Sequence, residues 1–173
     1  MSAAKVITWE RSGTYVEEKS GNATHHARCG IIDIAGHYWE GFERLGKVAL
    51  DAGTYPNSSM YIDAKRGPVV NPWHKQMVPD PDSKEKPPKM KRAGILFHRA
   101  KVPSDLLGCV GIGWIYGGQL TDSAEALWEI YRLAGGTKQN PAPILTVRVI
   151  GARTPYAPDS ATYLKDLTAY QGL

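Results

Sequence analysis

The stretch Arg28-Cys-Gly-Ile-Ile-Asp-Ile-Ala-Gly36-His-Tyr-Trp-Glu-Gly-Phe-Glu43 places an apolar, β-branched run before a glycine and an aromatic-rich run after it. Residues of these kinds fit the pleated surface of a sheet, and a glycine between two such runs turns the chain, so the stretch predicts a β-hairpin. Upstream, Lys5 to Tyr15 alternates weakly around Val6, Thr8 and Tyr15 and is followed by a polar stretch with Gly21-Asn22, which predicts a first strand and another hairpin. Downstream, Lys47 to Tyr55 ends in the turn Asp51-Ala-Gly-Thr-Tyr55-Pro56, and Ser59 to Ala64 resumes a strand. Ile95 to His98 reads as a short buried strand, and Ile144 to Ile150 alternates as another. One convincing helix is expected. Asp122 and Glu125 have capping-box spacing, Leu127, Ile130, Tyr131 and Ala134 recur at helical spacing, and Gly135-Gly136 stops the helix. Many short strands with one helix imply a mainly β (α+β) fold, mostly antiparallel, with the helix packed on the sheet.

The excursion from 65 to 93 departs from this pattern. Pro68, Pro72, Pro79, Pro81, Pro87 and Pro88 argue against a helix or a central strand through most of it. A long loop placed directly before the His98 strand is a candidate lid or docking loop, with an inert ordered connection as the alternative. The tail from Thr154 reads as irregular, with a last short helix over Tyr163 to Tyr170.

At 173 residues the chain is expected to form a single domain, 1–173, because two halves would each be small for an ordinary globular core. Apolar residues make up 42% and charged residues 22%, so neither disorder nor a membrane protein is suggested. No apolar run approaches the ~20 residues that span a bilayer. The start, Met-Ser-Ala-Ala-Lys-Val-Ile-Thr-Trp-Glu, lacks the apolar core of a secretory signal, so synthesis in the cytoplasm is expected. A substrate outside it would require lysis of the cell, or packaging into a virion or secretion particle that delivers the protein to the periplasm.

The formal charge of +4 favours approach to anionic polymers, and Lys84, Lys86, Lys89, Lys91 and Arg92 concentrate it in the proline-rich excursion. Nucleic acid is not an expected partner, since no zinc-finger spacing, RNA-binding signature or basic helix accompanies that loop. Cys29 and Cys109 are the two cysteines, without metal-ligand spacing, so no metal is expected. A disulfide between them stays open, although it would be rare in a reducing compartment. Gly111 and Gly113 form a GxG with no strand-turn-helix context, so no dinucleotide or other cofactor is expected.

Chemistry concentrates between Gly94 and Gly113. His98 and Cys109 lie eleven positions apart, each at the mouth of a short apolar run. A thiol attacks an amide or ester carbonyl as thiolate and needs a base or cation beside it, which His98 can supply if residues 99 to 107 form a tight excursion. The backbone N–H groups of Gly108 and Cys109 are candidates to hold the oxyanion. Asp105 either fixes the imidazole tautomer or pins the turn through backbone N–H groups, and the turn role is the favoured one. Arg99 is a candidate for binding a substrate carboxylate, although alternation in a strand turns it away from His98. Trp73 is a candidate substrate platform, and core packing is its commoner use. From residue types alone, a buried structural cysteine and a satisfied structural histidine are the commoner outcome.

The segment His98, Asp105, Gly108-Cys109 and Val110-Gly-Ile-Gly113 resembles the H-x-G-N-x-x-x-D-x-x-G-C-I-x-x-G signature of a small family of uncharacterised proteins, a domain of unknown function found in bacteriophages, prophages and near bacterial secretion systems. Ala52-Gly-Thr-Tyr55 resembles that family's P-A-G-T-Y turn, and Asp122-Ser123 resembles its D-S-x-x-A helix start. The family is in turn similar to the L,D-transpeptidase (YkuD-like) catalytic domain, which presents a histidine on a strand and a cysteine in an S-H-G-C motif. The resemblance implies a mixed, mostly antiparallel β-sandwich or barrel with His98 as base, Cys109 as nucleophile and the backbone at Gly108 as oxyanion hole. The implied activity is that of a peptidase or transpeptidase on peptidoglycan stem peptides. Three departures stand out: Ala100-Lys101 replaces Gly-Asn, Leu107 replaces the second histidine, and the proline-rich excursion lengthens the approach to the histidine strand. The rival expectation is a non-catalytic structural or assembly component of a phage virion or contractile particle, contacting other particle proteins through the same fold.

Overall fold

The computed structural model describes residues 5–45, 49–72, 75–79, 84–87, 90–106 and 108–152. Among them, in order, run β1 (Lys5–Ser20), β2 (Ala23–Ile34), β3 (His37–Arg44), β4 (Gly53–Asp63), β5 (Gly67–Asn71), β6 (Lys75–Pro79), β7 (Met90–Gly94), β8 (Phe97–His98), a 3-10 turn (Pro103–Asp105), β9 (Val110–Tyr116), β10 (Gln119–Thr121), α1 (Ser123–Leu133) and β11 (Ile144–Ile150). Nine strands form one sheet in the order β10-β9-β3-β2-β1-β11-β4-β5-β8, and β8 pairs back onto β9, which closes a ring. The β1–β11 and β8–β9 pairings are parallel and the others antiparallel. The mainly β, mostly antiparallel expectation therefore holds. β6 and β7 form a separate two-stranded ribbon.

The predicted hairpin is β2–β3, in register from Ala27↔Arg44 to Ile34↔His37. Its two-residue loop has φ 54° at Ala35 and 80° at Gly36, the doubly left-handed turn whose twist matches that of the strands it joins. Two local expectations change. The turn expected around Asp51 to Pro56 lies mostly inside β4, which absorbs Pro56 as a bulge: Leu145 pairs Ser58 and Val147 pairs Tyr55, so β4 carries one extra residue and the ladder needs no N–H from the proline. The excursion from 65 to 93 holds a ring strand and the ribbon. Pro68 is tolerated in β5 because β8 meets that strand only at Val70, leaving the proline opposite no ladder acceptor on that side. Tyr163 to Tyr170 lie outside the described residues.

Alternation sorts the side chains onto two faces. Ile7, Trp9, Ile32, Ile34, Met60, Val70, Phe97, Val110, Ile112, Leu145, Val147 and Val149 meet inside the ring, joined by Ala126, Leu127, Ile130 and Tyr131 of α1. The Trp9 indole occupies the space above Gly30, where a β-carbon would overlap it, and lies close over Gly41. A β-carbon at Gly41 would overlap the Gly111 carbonyl oxygen. Gly41→Ala is therefore expected to force β3 and β9 apart and to cost about 1–3 kcal/mol in a urea titration.

α1 ends as expected, with Gly135 at φ 92° and the Gly136 N–H bonded to the Tyr131 carbonyl. Its start differs: Asp122 sits at φ 53° and makes no side-chain cap bond, so the capping box does not form. Inside the ring, Glu43 pairs with Arg11, whose guanidinium also reaches the Leu50 and Gly151 carbonyls. Arg28 is buried as well and donates to the Ser12 and Ala152 carbonyls.

Candidate active site

A parallel strand pair cannot be joined by a tight turn and needs a crossover of about a dozen residues. The stretch between His98, the end of β8, and Val110, the start of β9, is that crossover. It runs through the 3-10 turn over the outside of the ring, against β1, β2 and β3. Leu106 anchors it in a second apolar cluster with Ala27, Cys29, Phe42 and Leu120, onto which Ala100 and Cys109 also pack. Phe97 pairs with Val110 and His98 with Gly111. Since Phe97 and Val110 face the ring interior, His98, Gly111 and, two positions before it, Cys109 belong to the opposite face. His98 thus ends β8, and Cys109, the residue just before β9, packs against the outer cluster two positions out of step with it.

Their hydrogen bonds are separate. His98, 8% exposed, places Nδ1 2.7 Å from the Arg99 carbonyl oxygen. A carbonyl only accepts, so Nδ1 carries the proton and Nε2 is the basic nitrogen of the neutral ring. The Cys109 Sγ accepts from the Leu96 N–H at 3.4 Å, while the Val110 N–H donates to the Leu96 carbonyl at 3.0 Å. Among the described residues no hydrogen bond joins the imidazole to the thiol.

Burial pushes the Cys109 thiol above its ordinary pKa, against the lowering influence of the Leu96 N–H and the Arg66 guanidinium. Burial likewise holds His98 below its ordinary value, opposed first by the bond to the Arg99 carbonyl and seconded by Arg66, with Asp105 and Asp63 acting upward. The resting pair is therefore a neutral thiol and a neutral imidazole. The sequence argument called instead for a histidine that lowers the thiol pKa. Cys29 is buried and its thiol is pushed up to about 11, first by burial and then by the Glu40 charge. Both cysteines are free, so no disulfide joins them.

The Asp105 carboxylate accepts from the Lys101 and Val102 N–H groups at 2.8 and 3.1 Å, the turn-pinning role favoured from sequence. The group that orients the imidazole is the Arg99 carbonyl, which no side-chain pattern reveals. Asp105→Asn keeps an acceptor for the turn and is expected to leave turnover close to wild type. A carboxylate that set the histidine tautomer would instead cost about 10⁴-fold on amidation. Comparing kcat of the two proteins decides between the roles.

Gly108 is buried at φ 112°, a backbone conformation that glycine adopts readily, and it delivers the Cys109 amide to the start of β9. Arg99 is exposed and donates from Nη2 to the Lys65 carbonyl at 2.8 Å. It borders a depression of about 370 Å³ together with Lys101, Asp105, Leu120 and Ser123. The Ser123 hydroxyl accepts from the Ala100 N–H at 3.1 Å, tying the start of α1 to the histidine segment. Trp73 lies outside the described residues. Arg66, whose charge acts on both His98 and Cys109, was not marked by sequence. It sits on the β4–β5 turn, more than thirty positions away, and only strand pairing brings it near. No group of three or more His, Cys, Asp or Glu able to hold a metal occurs among the described residues.

No protein-family model, curated protein or solved structure matches the chain.

Proposed function

We propose that the chain is a cysteine-dependent acyl-transfer enzyme with an L,D-transpeptidase-like fold, which hydrolyses or exchanges peptide bonds in peptidoglycan stem peptides. What supports the reading is the parallel β8–β9 register, in which His98 ends β8 and Cys109 immediately precedes β9, two positions out of step, together with an imidazole whose Nδ1–H is held by a backbone carbonyl. In this reading Nε2 takes the thiol proton as Sγ attacks the scissile carbonyl carbon. The amides of Gly108 and Cys109 hold the oxyanion. Collapse expels the amine, which leaves with the proton from the imidazolium, and the thioester passes to water or to a second amine. Delivery by a phage or injection particle would bring the enzyme to its wall substrate.

The competing reading, a structural particle component, draws on the packing of Cys109 against the Leu106 cluster and on the exposed Tyr38, Trp114, Tyr116 and Trp128. Incubating the protein and its Cys109→Ala variant with isolated murein and resolving the muropeptides by chromatography separates the two. Identical profiles from both proteins would favour the structural component.

A further inference from the structure

We infer that the depression of about 370 Å³ between the segment after β8 and the start of α1 is a binding site for a small phosphate monoester, held by Arg99, Lys101 and Ser123. It stands apart from the proposed nucleophile: Arg99 follows β8 at its His98 end, whereas the Cys109 Sγ bonds the Leu96 N–H before β8 begins. Hydrogen bonds fix its walls. The Ala100 N–H donates to the Ser123 Oγ at 3.1 Å and the Lys101 carbonyl accepts the Leu120 N–H at 2.8 Å, so the segment that carries both cations is tied to α1 and to β10. Ala100, Leu120 and Ala124 supply the apolar part of the lining. The volume falls within the range of small-molecule sites, which combine such surface with a few placed polar groups.

Three donors on this lining lack an anionic partner. Arg99 is exposed and, among the described residues, engages only the Lys65 carbonyl through Nη2, which leaves the rest of its fork available. Lys101 is exposed, and its ammonium makes no ion pair among the described residues. The Ser123 hydroxyl accepts from Ala100 and keeps its own proton for another acceptor. Asp105, the carboxylate on the lining, is bonded through Oδ2 to the Lys101 and Val102 N–H groups, and the two cations outnumber it. A planar carboxylate ligand offers two oxygens, which one guanidinium fork already satisfies. A phosphate monoester brings three strong acceptor oxygens and a charge of roughly −1.5 to −2 at pH 7, which match a fork, an ammonium and a hydroxyl in number and in sign. The apolar lining is left for the organic part of the molecule.

The test titrates the isotopically labelled, intact protein with phenyl phosphate at constant ionic strength and follows amide chemical shifts by NMR. Saturable shifts are expected at Ala100, Lys101, Ser123 and Ala124, with benzoate binding about tenfold more weakly. Arg99→Gln and Lys101→Gln should each raise the Kd for phenyl phosphate about tenfold, the loss of one charge-assisted bond. Lys101→Gln removes an ammonium that bonds to none of the walls, so it reads the site without disturbing the fold. Arg148→Gln, which removes an exposed cation of β11 that is not on the lining, should leave the Kd unchanged. Shifts that do not saturate, that lie elsewhere or that ignore both lining substitutions overturn the site, and equal affinity for benzoate overturns the phosphate class. Turnover on murein plays no part in this readout, so its outcome is independent of the reading of Cys109.

Discussion

Cys109→Ala is expected to abolish muropeptide release, leaving the profile of untreated murein, and His98→Gln to reduce turnover by about 10²–10⁴-fold. The two losses differ because the roles differ. Without Sγ no thioester forms, and removal of a nucleophile from a triad-type enzyme costs on the order of 10⁶ in kcat. Without Nε2 the thiol still ionises at high pH, so His98→Gln should recover part of its rate as the solution becomes alkaline. Cys29→Ala is the matched control: its thiol is buried, raised to about 11 and part of the second apolar cluster, so the variant should turn over normally.

The pH profile follows from the same two shifts. His98 stays in its basic form to below its ordinary pKa, so the acid limb of the wild-type rate should fall below pH ~6.5. The Cys109 pKa is raised, so a neutral thiol persists past the usual cysteine range and the rate should not decline before pH ~9. A narrow maximum between these limits would contradict the neutral pair.

Glu43→Ala is expected to cost about 3–5 kcal/mol of stability, read from urea denaturation. Glu43 is 2% exposed and pairs with an Arg11 side chain that is fully buried. Removing the carboxylate leaves a guanidinium inside the ring with only carbonyl partners, Leu50 and Gly151. The cost measures the stranded charge more than the worth of the pair, because bringing both ions out of water is itself expensive. Arg11→Met with Glu43→Leu should therefore lie much closer to wild type than Glu43→Ala alone. Additive losses in that double variant would contradict the argument.

Periodicity exposed the elements whose neighbours are local. The β2–β3 hairpin could be read from its β-branched and aromatic runs around Gly36, and β11 from the alternation in Ile144–Ile150. The C-terminal stop of α1 was legible in Gly135-Gly136, while its start was not, since Asp122 has the side chain of a cap but not the backbone conformation. Ring closure left no local signal: Ile95 to His98 was legible as a short buried strand and holds β8, but its pairing with β9 and with β5, which is hidden among prolines, was not. In the site, the types and spacing of His98, Asp105 and Cys109 stood out, and the turn role of Asp105 followed from turn chemistry. The carbonyl of Arg99 and the guanidinium of Arg66 did not, because a backbone acceptor has no letter in a sequence and a distant turn has no spacing.

The hoop of strands has one short stave. β8 contributes a single rung to β5 and two to β9, whereas β1 and β2 share eleven. Few rungs hold that seam, and proteins open locally at free energies that range from near zero up to that of global unfolding. His98 belongs to that stave and the Cys109 Sγ accepts from the Leu96 N–H at its base, so a local opening of this seam would loosen the packing around the sulfur.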